Sequence, residues 1–578
     1  MTASAARTLK PVDATAHPAP PTGAEAVPDA YGLNLFRADP WMAPLLGLYM
    51  PADLKAHMEP HLDRLGALAG GRLDTLAGTA DRNPPVLRTR TRRGEDVNQI
   101  DYHPAYREME QLAFGDFGLA AMSHRGGVLD WPEKMPPVAK YAVTFLFVQA
   151  EFGLLCPVNM TDSLTRTLRK FGSEDLVARY LPALTSQDLD ALSQGAMFMT
   201  EQGAGSDVGA TAVMAEPAGD GTWRLSGDKW FCSNADAGLA MVLARLKDGP
   251  AGIKGVGLFL LPKTLPDGSA NAYRIVRLKD KLGTRSMASG EIRLEGATAF
   301  LVGDPGAGFR QMADMVNSSR LSNGVRAAGM MRRAFSESMY IARNRVAFGR
   351  HLIDMPLMRR QLAKMLMRAE QARAMMLQTA DTLRRSDAGE DGAYALLRIL
   401  TPLIKYRACR DARVVTGDAM EVRGGCGYIE EFSDARLVRD AHLGSIWEGT
   451  SNVVALDVIR AIRREGSLEA LEAHLARLIA EDGNPLPGLE NAIGRAVALA
   501  RHVAEADDVA LTRQAAAGLY HVASAAMLAW ESARLGDPHR RTLAEMVLRH
   551  RVRTRDPLAA DDPDADALPG LLDAASAA

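Results

Sequence analysis

Apolar spacing changes character twice along this chain, and that change limits the folds open to it. From about Pro40 to Leu192 the pattern is mainly helical: Leu62, Leu65 and Leu68 recur at helical spacing, and Val143, Phe147 and Phe152 continue an apolar face. The run Leu176 to Pro182 reads as the end of a helix, because proline disfavours helical geometry before it. After Gly195 the apolar residues break into short runs, Trp223–Leu225, Met241–Ala244, Gly257–Leu261 and Glu291–Leu294, separated by Gly, Asp, Pro and Lys turns. That pattern predicts an antiparallel β-domain. Near Gly308 helical spacing returns, with Leu321, Val325, Ala328, Phe335, Met339, Ala342 and Val346 on one stripe. Small residues Gly324, Ala327, Ala328 and Gly329 there allow another backbone to approach closely.

Helical periodicity resumes over Met355–Arg384 and Leu396–Met420, and further helices follow over 466–555 around a break at Asn484–Gly488. No tandem repeat appears. The fold class is therefore mainly α with a small antiparallel β-domain in the middle and a helical C-terminal extension. At 578 residues the chain exceeds one core. The expected units are a disordered arm (1–30), an N-terminal helical domain (31–192), a β-domain (193–303), a helical bundle (304–465), a helical extension (466–556) and an acidic disordered tail (557–578).

A formal net charge of -2 argues against bulk attraction to polyanions, though not against a local basic patch. Cys156, Cys232, Cys409 and Cys426 are scattered and form no CxxC pair, which points to a reduced compartment, the cytoplasm, without disulfides or a zinc site. No apolar run is long enough to span a bilayer; Tyr141–Leu155, interrupted by Gln149 and Glu151, reads as a core helix.

Several segments bear on chemistry, and each has an ordinary structural explanation beside the functional one. Met199–Ala210 is a Gly-rich loop with hydroxyls at Thr200 and Ser206; it suits a planar ring and a phosphate, or simply a turn into the β-domain. Trp230-Phe231-Cys232-Ser233 offers aromatic faces and a hydroxyl, or a buried strand. Arg345–Arg350 places cations at a helix end, for a pyrophosphate or for the helix dipole alone. Glu421–Tyr428 has no surrounding βαβ unit and reads as a helix-ending glycine turn that brings backbone close to a ligand. Glu448 is a lone carboxylate between Trp447 and Gly449, and most glutamates are solvated.

Taken jointly and in order, these segments resemble the flavin-dependent acyl-CoA dehydrogenase family over roughly residues 140–462. Lys170–Glu174, Arg179–Pro182, the Met199 loop, Lys281–Ser286, Arg345–Gly349, Gly424–Gly427, Arg439–Ala441 and Trp447–Thr450 carry the match. Trp447, the run Ala419–Val422, Leu154–Thr161 and the helical extension are similar to the AidB-type branch, the bacterial adaptive response to DNA alkylation.

The resemblance implies an α–β–α architecture, non-covalent FAD and an oxidoreductase acting on an acyl-CoA. On it, Met199, Thr200, Gly205, Ser206, Phe231, Cys232 and Ser233 surround the flavin and its ribityl chain. Ile446, Trp447, Gly449, Thr450 and Asn452 hold the cofactor from the other side. Arg345 and Phe348 meet its adenosine half across a subunit interface, and Glu421, Gly424 and Gly425 belong to the turn that brings backbone close to the cofactor. Glu448 falls on the family's base; relatives that carry the base on the helix after the β-domain have a carboxylate where this chain has Asn317-Ser318-Ser319-Arg320. Ser206, Arg320 and Trp447 are implied substrate contacts. The implied chemistry is α-proton removal by Glu448 with β-hydride transfer to flavin N5.

A homotetramer, an electron-transfer flavoprotein as acceptor and no membrane are further implications. Acyl-CoA oxidase and nitroalkane oxidase chemistry share the scaffold. The branch also suggests a second function, association with duplex DNA in the alkylation response, for which Arg460, Arg463, Arg540, Arg541 and Arg549 are the candidates; a solvated basic helix explains them equally.

Overall fold

The computed structural model describes residues 27–484, 486–554, 558 and 563–577. In the first helical unit, Ala52–Gly70 (α1) and Arg72–Arg82 (α2) precede a two-stranded hairpin, Val86–Arg90 (β1) and Asp96–Asp101 (β2). Pro137–Phe147 (α3), Leu155–Phe171 (α4) and Glu174–Leu184 (α5) follow. The apolar stretch Tyr141–Leu155, read as one helix, is broken between α3 and α4. Helix α5 runs two residues past Pro182, because a proline in a last turn costs only the hydrogen bond its missing N–H would make.

The β-domain comprises Gly195–Phe198 (β3), Met214–Pro217 (β4), Trp223–Ser233 (β5), Leu239–Leu246 (β6), Val256–Pro262 (β7), Tyr273–Leu278 (β8) and Ser289–Leu301 (β9). Each of the four short runs read from sequence lies within one of β5, β6, β7 and β9. The order β3-β6-β4-β5-β9-β7, with β6 also paired to β7, closes the sheet into a ring, and β8 pairs with β9. Most pairings are antiparallel, as expected; β3–β6 and β4–β6 are parallel. The ring encloses its own core of Leu225, Val242, Phe259, Ile292 and neighbours.

The chain returns to helix with Gly308–Asn344 (α6), Pro356–Asp387 (α7), Ala393–Arg423 (α8), Asp434–Gly444 (α9) and Ser451–Glu465 (α10). The small residues of α6 do what their size permits: a Cβ on Gly329 would lie 2.3 Å from Val148 Cγ1 and 2.6 Å from the Phe145 carbonyl oxygen. Helices α3 and α6 thus approach backbone to backbone at this point. Val346, expected on the α6 stripe, lies beyond the helix in the short pairing Val346–Ala347 with Arg350–His351.

The extension, Ser467–Asp482 (α11), Leu489–Ala506 (α12), Thr512–Leu535 (α13) and Pro538–Val547 (α14), packs onto the bundle through a buried ionic network. Arg540 pairs with Glu531 and, at 3.0 Å, with Glu370; Arg373 pairs with Glu370 and with Asp39 at 2.5 Å.

Two terminal expectations need correction. The acidic tail is not disordered throughout: Leu568–Ala575 forms a helix (α15) that buries Leu568, Leu571, Leu572 and Ala575 at helical spacing, and Arg332 donates to the Ala575 carbonyl at 2.7 Å. The end of the N-terminal arm is also placed, with Ala30 buried and the Pro28 carbonyl accepting from Arg423 at 3.2 Å. Of the arm and the tail, residues 1–26, 557, 559–562 and 578 lie outside the described residues.

Candidate active site

Helix α4 joins the two halves of the site. On one side its Thr161 Oγ1 accepts the Gly195 N–H at 2.8 Å, anchoring the start of β3. On the other, Asn159 Nδ2 donates to Ser319 Oγ of α6 at 3.0 Å. Cys156, on the same helix, lies beside both Ser233 of β5 and Glu448.

The Gly-rich loop from Met199 is set rigidly. Lys229 Nζ, fully buried on β5, pairs with Glu201 at 2.7 Å, and Glu201 also accepts the Ala212 and Val213 N–H groups at 2.7 and 3.2 Å. A register shift in β5 between Lys229 and Cys232 frees the Trp230 N–H, which donates to the Thr200 carbonyl at 2.8 Å. Met199 and Thr200 are half-buried; Gly205 and Ser206 are exposed. Ser206 lines an open cavity of about 520 Å³ with Asp207–Ala210, Gly252, Ile253 and Phe309.

Strand alternation divides the next three residues. Phe231 is exposed and Ser233 half-buried, but Cys232 points into the β-domain core and is completely buried. Cys232 therefore cannot offer its side chain to a cofactor, contrary to the expectation above.

Glu448 occupies the turn between α9 and α10. It has φ +55°, and Gly449 follows at φ +96°, so the turn carries backbone strain of about 1–3 kcal/mol at Glu448. Three contacts hold it: Arg320 Nε donates to the Glu448 carbonyl at 3.0 Å, Lys405 Nζ donates to the Gly449 carbonyl, and the Trp447 N–H donates to the Leu443 carbonyl at 3.3 Å. Burial pushes the Lys405 ammonium down to about 8.

Glu448 is half-buried, and its Oε2 is out of water. Glu448 Oε1 accepts the Ser319 hydroxyl at 2.8 Å, while Oε2 is buried with no partner among the described residues. Because Asn159 donates to Ser319, the serine proton is directed at the carboxylate. Burial raises the Glu448 pKa; the Ser319 hydrogen bond and the charges of Arg320, Lys405 and Arg326 oppose that rise. The Glu448 N–H has no acceptor among the described residues. Trp447 stacks on Phe152 at 5.6 Å, and its Nε1 is likewise buried and unpartnered.

Arg320 sits behind this turn rather than in front of it. Its Nη1 donates to Asp457 at 2.7 Å and to Asn317 at 3.2 Å, so it braces the loop and the expectation of a substrate contact is corrected. Ser319, Asn159, Lys405 and Arg326 were not singled out by sequence. Two of them lie within runs that carry the resemblance or bear on the base, Asn159 in Leu154–Thr161 and Ser319 in Asn317–Arg320.

Elsewhere, Arg345 Nη1 donates to the Arg423 carbonyl at 2.8 Å, which brings it to the Gly424–Gly425 turn; Gly424 has φ +76° and ends α8. Glu421, Gly424 and Gly425 are exposed, and so are Ile446, Thr450, Asn452 and Phe348, the last at 94%.

The arginines considered for DNA fare differently. Arg540 is completely buried between Glu531 and Glu370 and cannot reach a phosphate. Arg460 and Arg463 pair with Asp457 and Asp507, Arg549 with Asp564, and Arg541 donates to the Asn484 carbonyl at 2.7 Å. No helix among the described residues is long and apolar enough to cross a membrane.

These residues fit the FAD that the sequence implies. An exposed aromatic face at Phe231 and an exposed Ile446, beside buried polar atoms that lack partners at Trp447 and Glu448, suit an apolar ring with a polar edge. A Cβ at Gly203 would meet nothing within 4 Å, so the loop leaves room for close approach.

Comparison with known proteins agrees. Residues 25–191 match the AidB N-terminal domain model, 196–297 the acyl-CoA dehydrogenase middle domain and 306–463 the acyl-CoA dehydrogenase C-terminal domain. The chain is 34% identical to AidB of Escherichia coli (strain K12) over 428 residues, 72% of this chain and 75% of that protein. It is similar to Caenorhabditis elegans ACDH-11, solved in complex with C11-CoA, with a TM-score of 0.85 and 26% identity over 94% of this chain and 95% of that one. An acyl-CoA dehydrogenase from Bacillus anthracis complexed with FAD shares the fold, with a TM-score of 0.66 and 18% identity over 82% of this chain and 90% of that one. The chain belongs to the acyl-CoA dehydrogenase family, in its AidB-type branch, and its cofactor is FAD.

Proposed function

We propose that this protein is an FAD-dependent acyl-CoA dehydrogenase in which Glu448 removes the α-proton of a CoA thioester. The observation that carries the reading is the Glu448 carboxylate itself, with one oxygen held by Ser319 and the other buried and free. Oε2 is then the atom that takes the proton. Burial makes this carboxylate a stronger base than a solvated one, and the Ser319 hydrogen bond favours its ionised form.

The free Glu448 N–H is placed to donate to the thioester carbonyl and so lower the cost of charge developing at the α-carbon. The braces from Arg320 and Lys405 hold the strained turn, which fixes that N–H and the carboxylate relative to each other. FAD, when bound, accepts the β-hydrogen as hydride.

Met199, Thr200, Gly205, Ser206, Phe231 and Ser233 would hold the flavin half of the cofactor, with Ile446, Trp447, Gly449, Thr450 and Asn452 on the opposite side. Arg345 and Phe348 would meet the adenosine half in a homotetramer, a role supported by the exposure of Phe348, and the turn of Glu421, Gly424 and Gly425 would lie close to the cofactor. An electron-transfer flavoprotein completes the cycle as acceptor. Duplex DNA association is the weaker reading, since Arg540 is enclosed in an ionic network and the other four arginines already have partners.

The test is anaerobic titration of the FAD-loaded protein with saturated acyl-CoAs. Flavin absorbance should bleach with the wild type and stay unchanged with Glu448→Gln. Bleaching that is equal in both, or absent with every thioester, would refute the assignment.

A further inference from the structure

Five arginines are among the largest side chains with less than 2% exposure: Arg326, Arg332, Arg373, Arg423 and Arg540. Four are neutralised. Arg332 and Arg373 pair with Asp39 at 3.2 and 2.5 Å, Arg423 with Asp434 at 2.5 Å and with Glu337, and Arg540 with Glu370 and Glu531. Arg326 is the exception, with no ion pair among the described residues. Its Nη2 donates to Asn323 at 2.8 Å and its Nε to the Ser322 carbonyl at 3.4 Å, both on its own helix, and its Nη1 has no acceptor.

The guanidinium lies 4.9 Å from the centre of the Phe152 ring and 4.8 Å from that of Trp447, the residue preceding the proposed base. Two aromatic faces offset part of the cost of a buried cation, but neither takes the idle N–H in its plane. Glu448 does not serve, since its nearer bond is to Ser319 and no ion pair joins it to Arg326. The other titratable groups facing Arg326 are Cys156, Cys409 and Glu151. Burial holds the Cys156 thiol up at about 11 and raises the Cys409 thiol, so both are neutral; Glu151 is engaged by Ser286 at 2.6 Å and by the Leu154 N–H at 2.6 Å. A buried cation with no carboxylate of its own is destabilising unless a ligand brings one.

Building on the dehydrogenase reading, we propose that Arg326 is a specificity-determining residue that binds a carboxylate on the acyl group, so that the preferred substrate is a CoA thioester of a short dicarboxylic acid. The planar fork of a guanidinium matches a carboxylate, and clamping by Phe152 and Trp447 presets its orientation. The thioester end belongs at Glu448 and the free carboxylate at Arg326, whose guanidinium packs on the ring of Trp447, the residue next to that base.

The test is calorimetric binding to the FAD-loaded Glu448→Gln protein, which leaves thioesters unreacted. Succinyl-, glutaryl- and adipyl-CoA are compared with butyryl-, valeryl- and hexanoyl-CoA, alone and with Arg326→Met or Arg326→Lys added. Flavin content and thermal midpoint serve as folding controls. At least one dicarboxylyl thioester should bind about 30-fold more tightly than its monocarboxylyl counterpart. Arg326→Met should abolish that preference and Arg326→Lys retain part of it. Equal binding of the two series, or a preference that survives Arg326→Met, overturns the inference and leaves the dehydrogenase reading intact. Binding of neither series overturns both. Should Arg326→Met fail to load flavin, the Arg326→Lys comparison decides, and an undiminished preference there counts against the proposal.

Discussion

Ser319 of the long helix α6 and Glu448 of the turn before α10, 129 residues apart, share a hydrogen bond of 2.8 Å, and Asn159 of α4 points the serine proton at the carboxylate. The bond opposes the rise that burial imposes on Glu448. Ser319→Ala should therefore raise the pKa of the base, and the rising limb of the pH–rate profile should move to higher pH by roughly one unit. A stopped-flow pH profile of flavin reduction checks this. An unchanged or lowered limb would mean that the hydroxyl does not stabilise the ionised form.

Gly449 carries φ +96°, and a Cβ there would lie 3.1 Å from Val453 Cγ1 and 3.3 Å from Val454 Cγ2. Gly449→Ala should therefore disturb the turn that presents Glu448, at a cost of about 1–3 kcal/mol. The expected readout is a fall in kcat with a smaller change in global melting, measured by steady-state kinetics and calorimetry.

Asp440 accepts the Thr284 N–H at 2.6 Å where the β-domain loop meets α9, and burial, with Asp81 and Glu151 nearby, pushes its carboxyl up to about 7. Between the unfolded value of 3.8 and about 7, the folded chain holds a proton that the unfolded chain has lost. This group's contribution therefore makes stability fall as pH rises through that window and level off above it. The total is roughly 4 kcal/mol at about 1.4 per pH unit. Urea melts of wild type and Asp440→Asn across this range should differ by that slope; parallel profiles would contradict it.

Arg540 is enclosed by Glu531 and Glu370, so Arg540→Ala should destabilise the extension by about 3–5 kcal/mol by leaving buried carboxylates unpaired. Thermal melting measures it. Any loss of DNA binding in that variant should track unfolding. Loss of a salt-steep affinity in the well-folded Arg460→Ala or Arg541→Ala protein would instead favour a phosphate-contacting surface.

Much of the architecture was legible because apolar spacing reports it locally. The stripe through Leu321, Val325 and Ala328 became α6, and four short apolar runs became strands of the closed sheet. The hairpin β1–β2 is not legible in the sequence, because its residues are mostly exposed and lack an apolar alternation. Helix α15 has the i, i+3, i+4, i+7 apolar pattern of a packed helix, but only eight residues carry it and an acidic, disorder-like stretch precedes it.

In the site, Glu448 and the Gly-rich loop stood out as contiguous motifs. Cys232 was misplaced because motif membership says nothing about which face of a strand a side chain takes. The bracing role of Arg320 is not legible locally, because its partners, Asp457 and the Glu448 carbonyl, lie more than a hundred residues away. Arg326 was invisible in sequence, since a buried unpaired cation is defined only by what surrounds it.

Exchange of the thioester α-hydrogens with deuterated water tests the central assignment most directly, using a CoA thioester that cannot pass on a β-hydride. Followed by mass spectrometry, exchange should be rapid with the wild-type holoprotein and lost with Glu448→Gln. Exchange that continues undiminished in Glu448→Gln would place the base elsewhere and contradict the account.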